Sequence, residues 1–256
     1  MAIVRTKQQK KKAVRALILR LLTTAMLGGL MFGVFQVYCV LTKSEKFAVK
    51  TVELRGLCRV DSLDVDRLVA DIRGENIFLL PLEECARRFT AHPRIRSVTF
   101  KKVLPNRVYC TVEEREPVAV IRSPGFHEVD EEGMILTSDE LTDYLDLPII
   151  SGLNRKAVKE GTFCRDPQLA NALRVIGICK RHGGSFANDI SEVRIEDQGI
   201  SVVSLREGMV LLLGENEFED RLKKFFLIRG TIAKRDAPSK YIDLRFDDQV
   251  VLRSGI

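Results

Sequence analysis

The chain has 256 residues, of which 45% are hydrophobic and 30% are charged, enough to bury the core of one large domain or two small ones. Its net charge of +6 does not indicate nucleic-acid binding, because eight of the 41 basic residues and no acidic residue precede position 45. The rest of the chain carries 33 basic against 35 acidic residues, so the basic excess belongs to a short N-terminal tail.

The first predicted element is a transmembrane helix. Leu21–Thr42 is a run without a charged residue, and as a helix it is about 30 Å long, enough to cross the hydrocarbon core of a bilayer. Arg20 would snorkel toward the headgroups. The alternative is a cleaved signal peptide, whose apolar region is about 7–15 residues and ends in a small-x-small site. The stretch "VYCVLTKSE" has no such site, so we predict a basic tail over 1–16 and a retained helix over 17–42.

The charges that flank this helix predict its orientation. The positive-inside bias keeps the basic tail in the cytoplasm, so everything after Lys43 lies across the membrane. Gly29 and Gly33 fit a small-xxx-small helix contact, although Gly is also common in such helices without a packing role. The basic residues of the tail are Lys7, Lys10, Lys11, Lys12 and Arg15.

The first folded segment is predicted to have the order β-α-α-β-β. The alternation in "FAVKTVELRG" is typical of a strand. "VDSLDVDRLVADIRG" carries an apolar helical stripe that begins at Leu63 and stops at Gly74, with Ser62 as the candidate N-cap. "NIFLLPLEECARRF" predicts a second helix. Two strands follow, over Ile95–Lys102 and Arg107–Glu114.

The second folded segment is predicted to be a mixed, strand-rich α+β layer. "FHEVDEEGMIL" indicates a hairpin around Glu131–Gly133, and "LPIISG" a short apolar strand. "DPQLANALRVIGICKRHG" and "FEDRLKKFFLIRGTI" are amphipathic helices. Between them, "ISEVRIEDQGISVVSLREGMVLLLG" holds two or three strands with turns at Asp197–Gly199 and Glu207–Gly208. A terminal hairpin, "KYIDLRFDDQVVLR", leaves a last strand that either pairs inside its own sheet or stays open to another chain.

No constellation of side chains predicts catalysis. The three histidines, His92, His127 and His182, lie in predicted loops or at a hairpin start, and HExxH, GxSxG, SxxK and phosphate-binding glycine loops are missing from the sequence. Adjacent carboxylates such as Glu113 and Glu114 point to opposite faces of a strand, which makes them poor acid/base partners. A carboxylate pair assembled in space stays open. We expect no enzyme activity, cofactor or metal.

The cysteines and aspartates do not predict a metal site either. Five of the six cysteines follow the membrane segment without a CxxC pair, so we expect small core residues and leave one unassigned disulfide open. Asp61, Asp64 and Asp66 do not form a calcium-binding EF-hand loop, because the glycine and the final glutamate of that loop are missing from the sequence after them. We interpret them as carboxylates at the start of a helix.

The ordered motifs resemble a known family. "VELRGLCRV", "NIFLL" and "HPRIRSVTFKKVLPNRVYCTVEEREPVAVI" resemble the POTRA module, with Ile95 where Val is more usual. "EVDEEGMIL", "LPIISG", "LGENEFEDRLKKF" and "YIDLRFDDQVVLR" are similar to landmarks of the FtsQ/DivIB cell-division family, in its order. The resemblance covers the chain from about residue 15. It implies an α+β fold with a POTRA domain over 43–116 and a β domain over 117–256.

The resemblance also implies a function. Members of this family are scaffolds of the division machinery in the cytoplasmic (inner) membrane at the septum, with their folded domains on the periplasmic side. They bind the bitopic partners FtsB and FtsL, and FtsB adds a strand near the C-terminal strands and the preceding helix. Carried over by motif, the candidate partner-binding residues are Lys223, Tyr241, Arg245, Phe246, Val251 and Leu252.

Each candidate has an alternative reading. Phe246 shares a strand face with Ile242 and Leu244, so its alternative reading is a core residue. The alternative reading of Arg245 is a solvent-exposed residue without a partner-binding role. The C-terminal stretch "LRSGI" also lacks the aromatic residue that members of the family often carry there. The predicted strand Ile95–Lys102 is a second docking edge implied by the resemblance. The competing functions are a POTRA-containing envelope assembly or secretion factor and a membrane-anchored enzyme acting on the cell wall.

Overall fold

The computed structural model describes residues 7–136, 146–154, 157–205, 208–232, 239–246 and 249–254. The chain divides into two compact units. The first comprises Met1–Arg88 and Val98–Val112, and the second comprises Phe89–Ser97 and Glu113–Ile256.

The first unit begins with the long helix α1, Lys7–Lys43. Within the described residues it is the one helix long and apolar enough to cross a membrane, over Val14–Lys43. None of its apolar window is buried inside the protein, and an exposed apolar surface of this length is stable in lipid and not in water. A short 3-10 helix, Glu45–Phe47, leads from α1 into the folded part.

The β-α-α-β-β order predicted for the first folded segment is confirmed. It consists of β1 Thr51–Arg55, α2 Ser62–Ala70, α3 Leu82–Thr90, β2 Ile95–Val103 and β3 Arg107–Glu114. The sheet has the order β1-β3-β2, and β1 runs parallel to β3. The buried side chains of the first unit are Val49, Val69, Ile72, Ile77, Leu80, Cys85, Val108, Cys110 and Val112.

Three details of the prediction for α2 are wrong. The N-cap is Asp61, whose backbone is extended, whereas Ser62 is already helical. Leu63 is exposed, because the apolar stripe consists of positions 65, 68, 69 and 72, and residue 63 lies on the opposite side of the helix. The helix also ends at Ala70, and turns lead from there to Gly74.

The second unit contains an eight-stranded mixed sheet, in the order β11-β10-β9-β8-β7-β6-β4-β5. Its antiparallel pairs are β4/β5, β7/β8, β8/β9 and β10/β11, and its parallel pairs are β4/β6, β6/β7 and β9/β10. Helices α4 and α5 supply two of the crossovers that parallel neighbours need. The elements are β4 Pro117–Arg122, β5 Phe126–Asp130, β6 Ile149–Ser151, α4 Pro167–His182, β7 Ile190–Glu196, β8 Gly199–Ser204, β9 Val210–Gly214, α5 Phe218–Ile232, β10 Ser239–Asp243 and β11 Val251–Ser254.

The core of this unit lies between the two helices and one face of the sheet. One row of paired residues crosses six strands, and every member is fully buried: Ile121, Ile150, Val193, Val202, Leu211 and Ile242. The row belongs to one cluster with Leu169 and Val175 of α4 and Leu222 and Phe225 of α5. The neighbouring row, which points to the other face, includes the partly exposed Val203 and Val210 and the exposed Tyr241. We call this side, which faces away from α4 and α5, the open face.

The structure differs from the sequence prediction at two points in this unit. Strand β4 was not expected, because its apolar run continues from β3 with only two residues between them. The second arm of the hairpin at Glu131–Gly133 is not a strand, since Met134 and Ile135 form isolated bridges. Of the two readings of Phe246, the core residue is the wrong one, because Phe246 follows the end of β10 and is exposed, unlike Ile242 and Leu244. Glu207 and the predicted turn at 247–248 lie outside the described residues.

The six cysteines all lie in the part of the chain that the structure describes, and none of them is in a disulfide, so the bridge left open by the sequence is not formed. Three of them are buried, as expected for small core residues: Cys85, Cys110 and Cys179. Burial raises the pKa of the Cys110 and Cys179 thiols to about 12, which keeps both groups neutral and unreactive at physiological pH.

Candidate partner-binding site

The last described strand lies at one edge of the eight-stranded sheet. Among the described residues, β11 has β10 as its one strand neighbour, with Tyr241 opposite Arg253, Ile242 opposite Leu252 and Asp243 opposite Val251. The outer side of an edge strand presents N–H and C=O groups that no neighbouring strand satisfies. The edge is therefore a main-chain template for another extended segment.

The two faces of this edge differ in character. Leu252, opposite the buried Ile242, packs partly buried against the core on the helix side. Tyr241, Val251 and Arg253 point to the open face, because paired residues in a sheet share a face and alternate residues along a strand do too. Tyr241 and Arg253 are both exposed there. A segment added to β11 would meet a partly buried aliphatic residue on one face and an aromatic and a cation on the other.

An ion pair holds the chain where it leaves β10. Arg245 chelates the buried Asp243, with 2.9 Å from Nε to Oδ1 and 2.7 Å from the second terminal nitrogen to Oδ2. The Arg245 backbone N–H donates to the same carboxylate over 3.1 Å, and the remaining terminal nitrogen donates to Gln198 Oε1 over 2.7 Å. Because Gln198 lies in the turn between β7 and β8, the pair links the edge hairpin to the middle of the sheet. The Arg245 hydrogen bonds hold the pKa of Asp243 below its ordinary value.

The ion pair predicts a pH-dependent stability. A carboxylate with a depressed folded-state pKa contributes stability that is present above its unfolded pKa of about 3.9 and is lost as the pH falls through the folded-state value. We expect Asp243→Asn to destabilise the full chain in detergent micelles by about 1–2 kcal/mol at pH 7, a figure reduced because Arg245 is partly exposed. The difference should shrink as the pH falls below about 4.

Chemical unfolding at several pH values measures this difference. The control is Asp220→Asn, which removes an exposed carboxylate from α5 and should change the stability by less than about 0.5 kcal/mol at neutral pH. A wild-type advantage over Asp243→Asn that stays constant from pH 7 to pH 3 would contradict the assignment.

The structure gathers five of the six predicted site residues at this hairpin. Tyr241 and Val251 lie on the open face, Leu252 on the helix face, and Arg245 and Phe246 follow the end of β10. Lys223 is on α5, where its Nζ contacts Glu219 Oε1 at 2.9 Å one turn earlier on the same helix. The role of all six residues in partner binding stays a prediction.

Sequence reasoning missed three residues that shape the site. Asp243 and Gln198 orient Arg245, and Arg253 places a cation opposite Tyr241. The i, i+2 spacing of Asp243 and Arg245 in "DLR" was a usable signal, since both side chains then share a strand face. Gln198 carried no local signal, because its partner is 47 residues later in the chain.

A groove beside α4 is a concave feature of the second unit. It is lined by Glu131 and Glu132 on one side and by Arg174 and Arg181 of α4 on the other, above apolar residues. Glu132 is bound by Arg115 and Arg96, and the hydrogen bond from Arg115 lowers its pKa. Its described lining includes no histidine, and the described residues contain no cluster suited to a metal ion. The groove therefore offers a carboxylate that arginines hold in its ionised form.

Comparison with known proteins places the chain in a family. A family model described as "Cell division protein FtsQ/DivIB, C-terminal" matches residues 119–245, and one described as "POTRA domain, FtsQ-type" matches residues 47–115. The curated "Cell division protein FtsQ" of Myxococcus fulvus is 30% identical over 78% of this chain and 70% of its own length. The proteins of that name from a Geobacter species and from Syntrophotalea carbinolica are 25% and 26% identical, over 90% and 84% of this chain and 84% and 76% of their own lengths. The chain belongs to the FtsQ/DivIB family of cell-division proteins.

Proposed function

We propose that the protein is a non-enzymatic scaffold of the division machinery that holds FtsB- and FtsL-like bitopic proteins at the septum. The observation that carries the proposal is the position of β11 at the edge of the large sheet, next to β10 and no other described strand. Natural sheets usually blunt such edges, because they recruit other chains. A retained edge in a family of division proteins is suited to recruiting an extended partner segment by main-chain hydrogen bonds.

The side chains around the edge would supply specificity. Leu252 and Val251 point to opposite faces of the sheet, so they would flank a docked strand on its two sides. The exposed Phe246 would be an apolar anchor just beyond that strand. One terminal nitrogen of Arg245 donates a hydrogen bond to the neutral amide oxygen of Gln198. A carboxylate from the partner would be a stronger acceptor at that nitrogen, since its negative charge adds ionic attraction to the hydrogen bond from the guanidinium.

The proposed topology is a single crossing of the cytoplasmic membrane by α1. The basic residues of the tail favour a cytoplasmic N-terminus, and both folded units would then lie on the periplasmic side. The edge strand β2 of the first sheet offers a second docking site for another division component. One helix in the membrane and two docking edges outside it suit a protein that links partners without chemistry of its own.

Depletion of the protein in its own cells tests the scaffold function. We expect long, undivided filaments, and a fluorescent fusion of the full chain should concentrate at the division site. A matched depletion that leaves division intact but lowers the amounts of outer-membrane proteins would overturn the proposal in favour of an assembly factor. Hydrolysis of purified cell-wall material by the full chain would overturn its non-enzymatic character.

A further inference from the structure

The end of α1 is joined to the first folded unit by a side chain. Asn76 Nδ2 donates to the carbonyl oxygens of Leu41 and Thr42, over 2.8 and 3.0 Å, and these carbonyls belong to the last helical turn, which has no partners within the helix. Asn76 Oδ1 accepts from the backbone N–H of Phe78 over 2.9 Å. The loop that starts at Asn76 therefore lies level with the end of the apolar run of the helix.

This loop exposes two large apolar residues at that level. Phe78 is 41% exposed and Leu79 is 54% exposed. The Phe78 ring packs edge-on against Phe47, with 5.1 Å between centroids, and the Ile77 N–H donates to the Phe47 carbonyl over 2.8 Å. Exposed aromatic and leucine side chains are costly in water, whereas Phe and Leu on the apolar face of a membrane-surface segment are buried at the boundary between headgroups and acyl chains.

A second loop reaches the same end of the unit. Because Thr51 pairs with Arg107 in the parallel β1/β3 ladder, the β2–β3 turn lies beside the start of β1, where the Lys50 N–H donates to the Asn106 carbonyl over 2.9 Å. That turn carries Leu104, which is 58% exposed. Lys102 Nζ donates to the Leu80 carbonyl over 3.1 Å and joins this hairpin to the first loop.

The charges at this end are predominantly basic. The segments that meet here are 43–50, 75–80 and 101–107, and their acidic residues are Glu45 and Glu75. They are outnumbered by the basic residues Lys43, Lys46, Lys50, Lys101, Lys102 and Arg107. A basic residue close to an anionic lipid surface favours binding to that surface.

We propose that Phe78, Leu79 and Leu104 form a membrane-contact rim that inserts into the headgroup region of the bilayer, with the surrounding lysines and arginine on lipid phosphates. The rim would hold the first unit against the membrane surface and restrict its reorientation about the end of α1. The inference rests on the membrane crossing of the proposed function, and it is independent of any partner protein.

The sequence allows a direct test, because the chain contains no tryptophan. Phe78→Trp and Leu104→Trp each place one fluorophore on the rim of the full chain, reconstituted in vesicles of phosphatidylcholine and phosphatidylglycerol. We expect both emission spectra to shift to the blue and both to be quenched by phosphatidylcholine brominated on its acyl chains. Tyr38→Trp, inside α1, is the positive control for lipid contact.

Leu63→Trp is the matched negative control. Leu63 is 63% exposed like the rim residues, but it lies in the first turn of α2, roughly 10 Å of helix from the end that returns to the membrane side. Its emission should stay at the solvent value and be unaffected by bromine. Rim variants that behave like Leu63→Trp while Tyr38→Trp is quenched would overturn the rim and leave the membrane span intact. A Tyr38→Trp signal unaffected by bromine would overturn the span and the rim together.

Discussion

Proline at position 251 or 252 is expected to separate partner binding from folding. The N–H groups of an edge strand alternate between its neighbour and the outside, so one of Val251→Pro and Leu252→Pro removes a donor that faces outward. That variant should keep the unfolding midpoint of the wild type and bind the FtsB-like segment about 10- to 100-fold more weakly, since it loses a main-chain hydrogen bond and places a ring in the path of the docked strand. The other variant should lose stability as well.

The measurement is a binding titration of the full chain in lipid nanodiscs with the periplasmic segment of the FtsB-like protein, beside a thermal unfolding curve for each variant. Phe126→Pro is the control, because it alters the first residue of β5, the strand at the opposite edge of the same sheet. It should bind as the wild type does. Equal affinities for the wild type and the stable proline variant would exclude β11 from the contact.

Phe225→Ala is expected to cause the largest loss of stability among single truncations on α5. The ring is fully buried in the main core cluster and packs edge-on against Phe186, with 5.1 Å between centroids. Removing a buried phenyl ring leaves a cavity that the neighbouring side chains fill only in part, at a cost of about 3–5 kcal/mol. The thermal midpoint of the full chain in detergent should fall by roughly 10 °C.

Leu227→Ala tests whether this effect comes from burial. Leu227 lies two residues further along the same helix and is 84% exposed, so its truncation should change the free energy of unfolding by less than about 0.5 kcal/mol. Similar losses for the two variants, measured by urea unfolding, would mean that α5 is not packed on the sheet through Phe225.

The prediction from sequence was accurate where a segment's own pattern carries the information. Helix α5 and strand β3 have the predicted bounds, because helical periodicity and strand alternation are local properties. The prediction failed where a neighbour decides the outcome. Leu63 was predicted to be part of the α2 stripe, yet it is exposed, because the buried side of α2 is the opposite one. The alternative reading of Phe246 as a core residue fails, because β10 ends at Asp243, three residues before it.

By itself, the sequence determined the apolar length of α1, the order of most helices and strands, and the ordered motifs that identified the family, which the comparisons confirmed. The tertiary structure alone decided that β11 is an edge strand, that Tyr241 and Leu252 point to opposite faces, and that Arg245 is held by Asp243 and Gln198. Strand order depends on pairings between segments far apart in the chain, such as β9 with β10 across α5. Such pairings are settled by which surfaces bury one another, and no local window of residues contains that information.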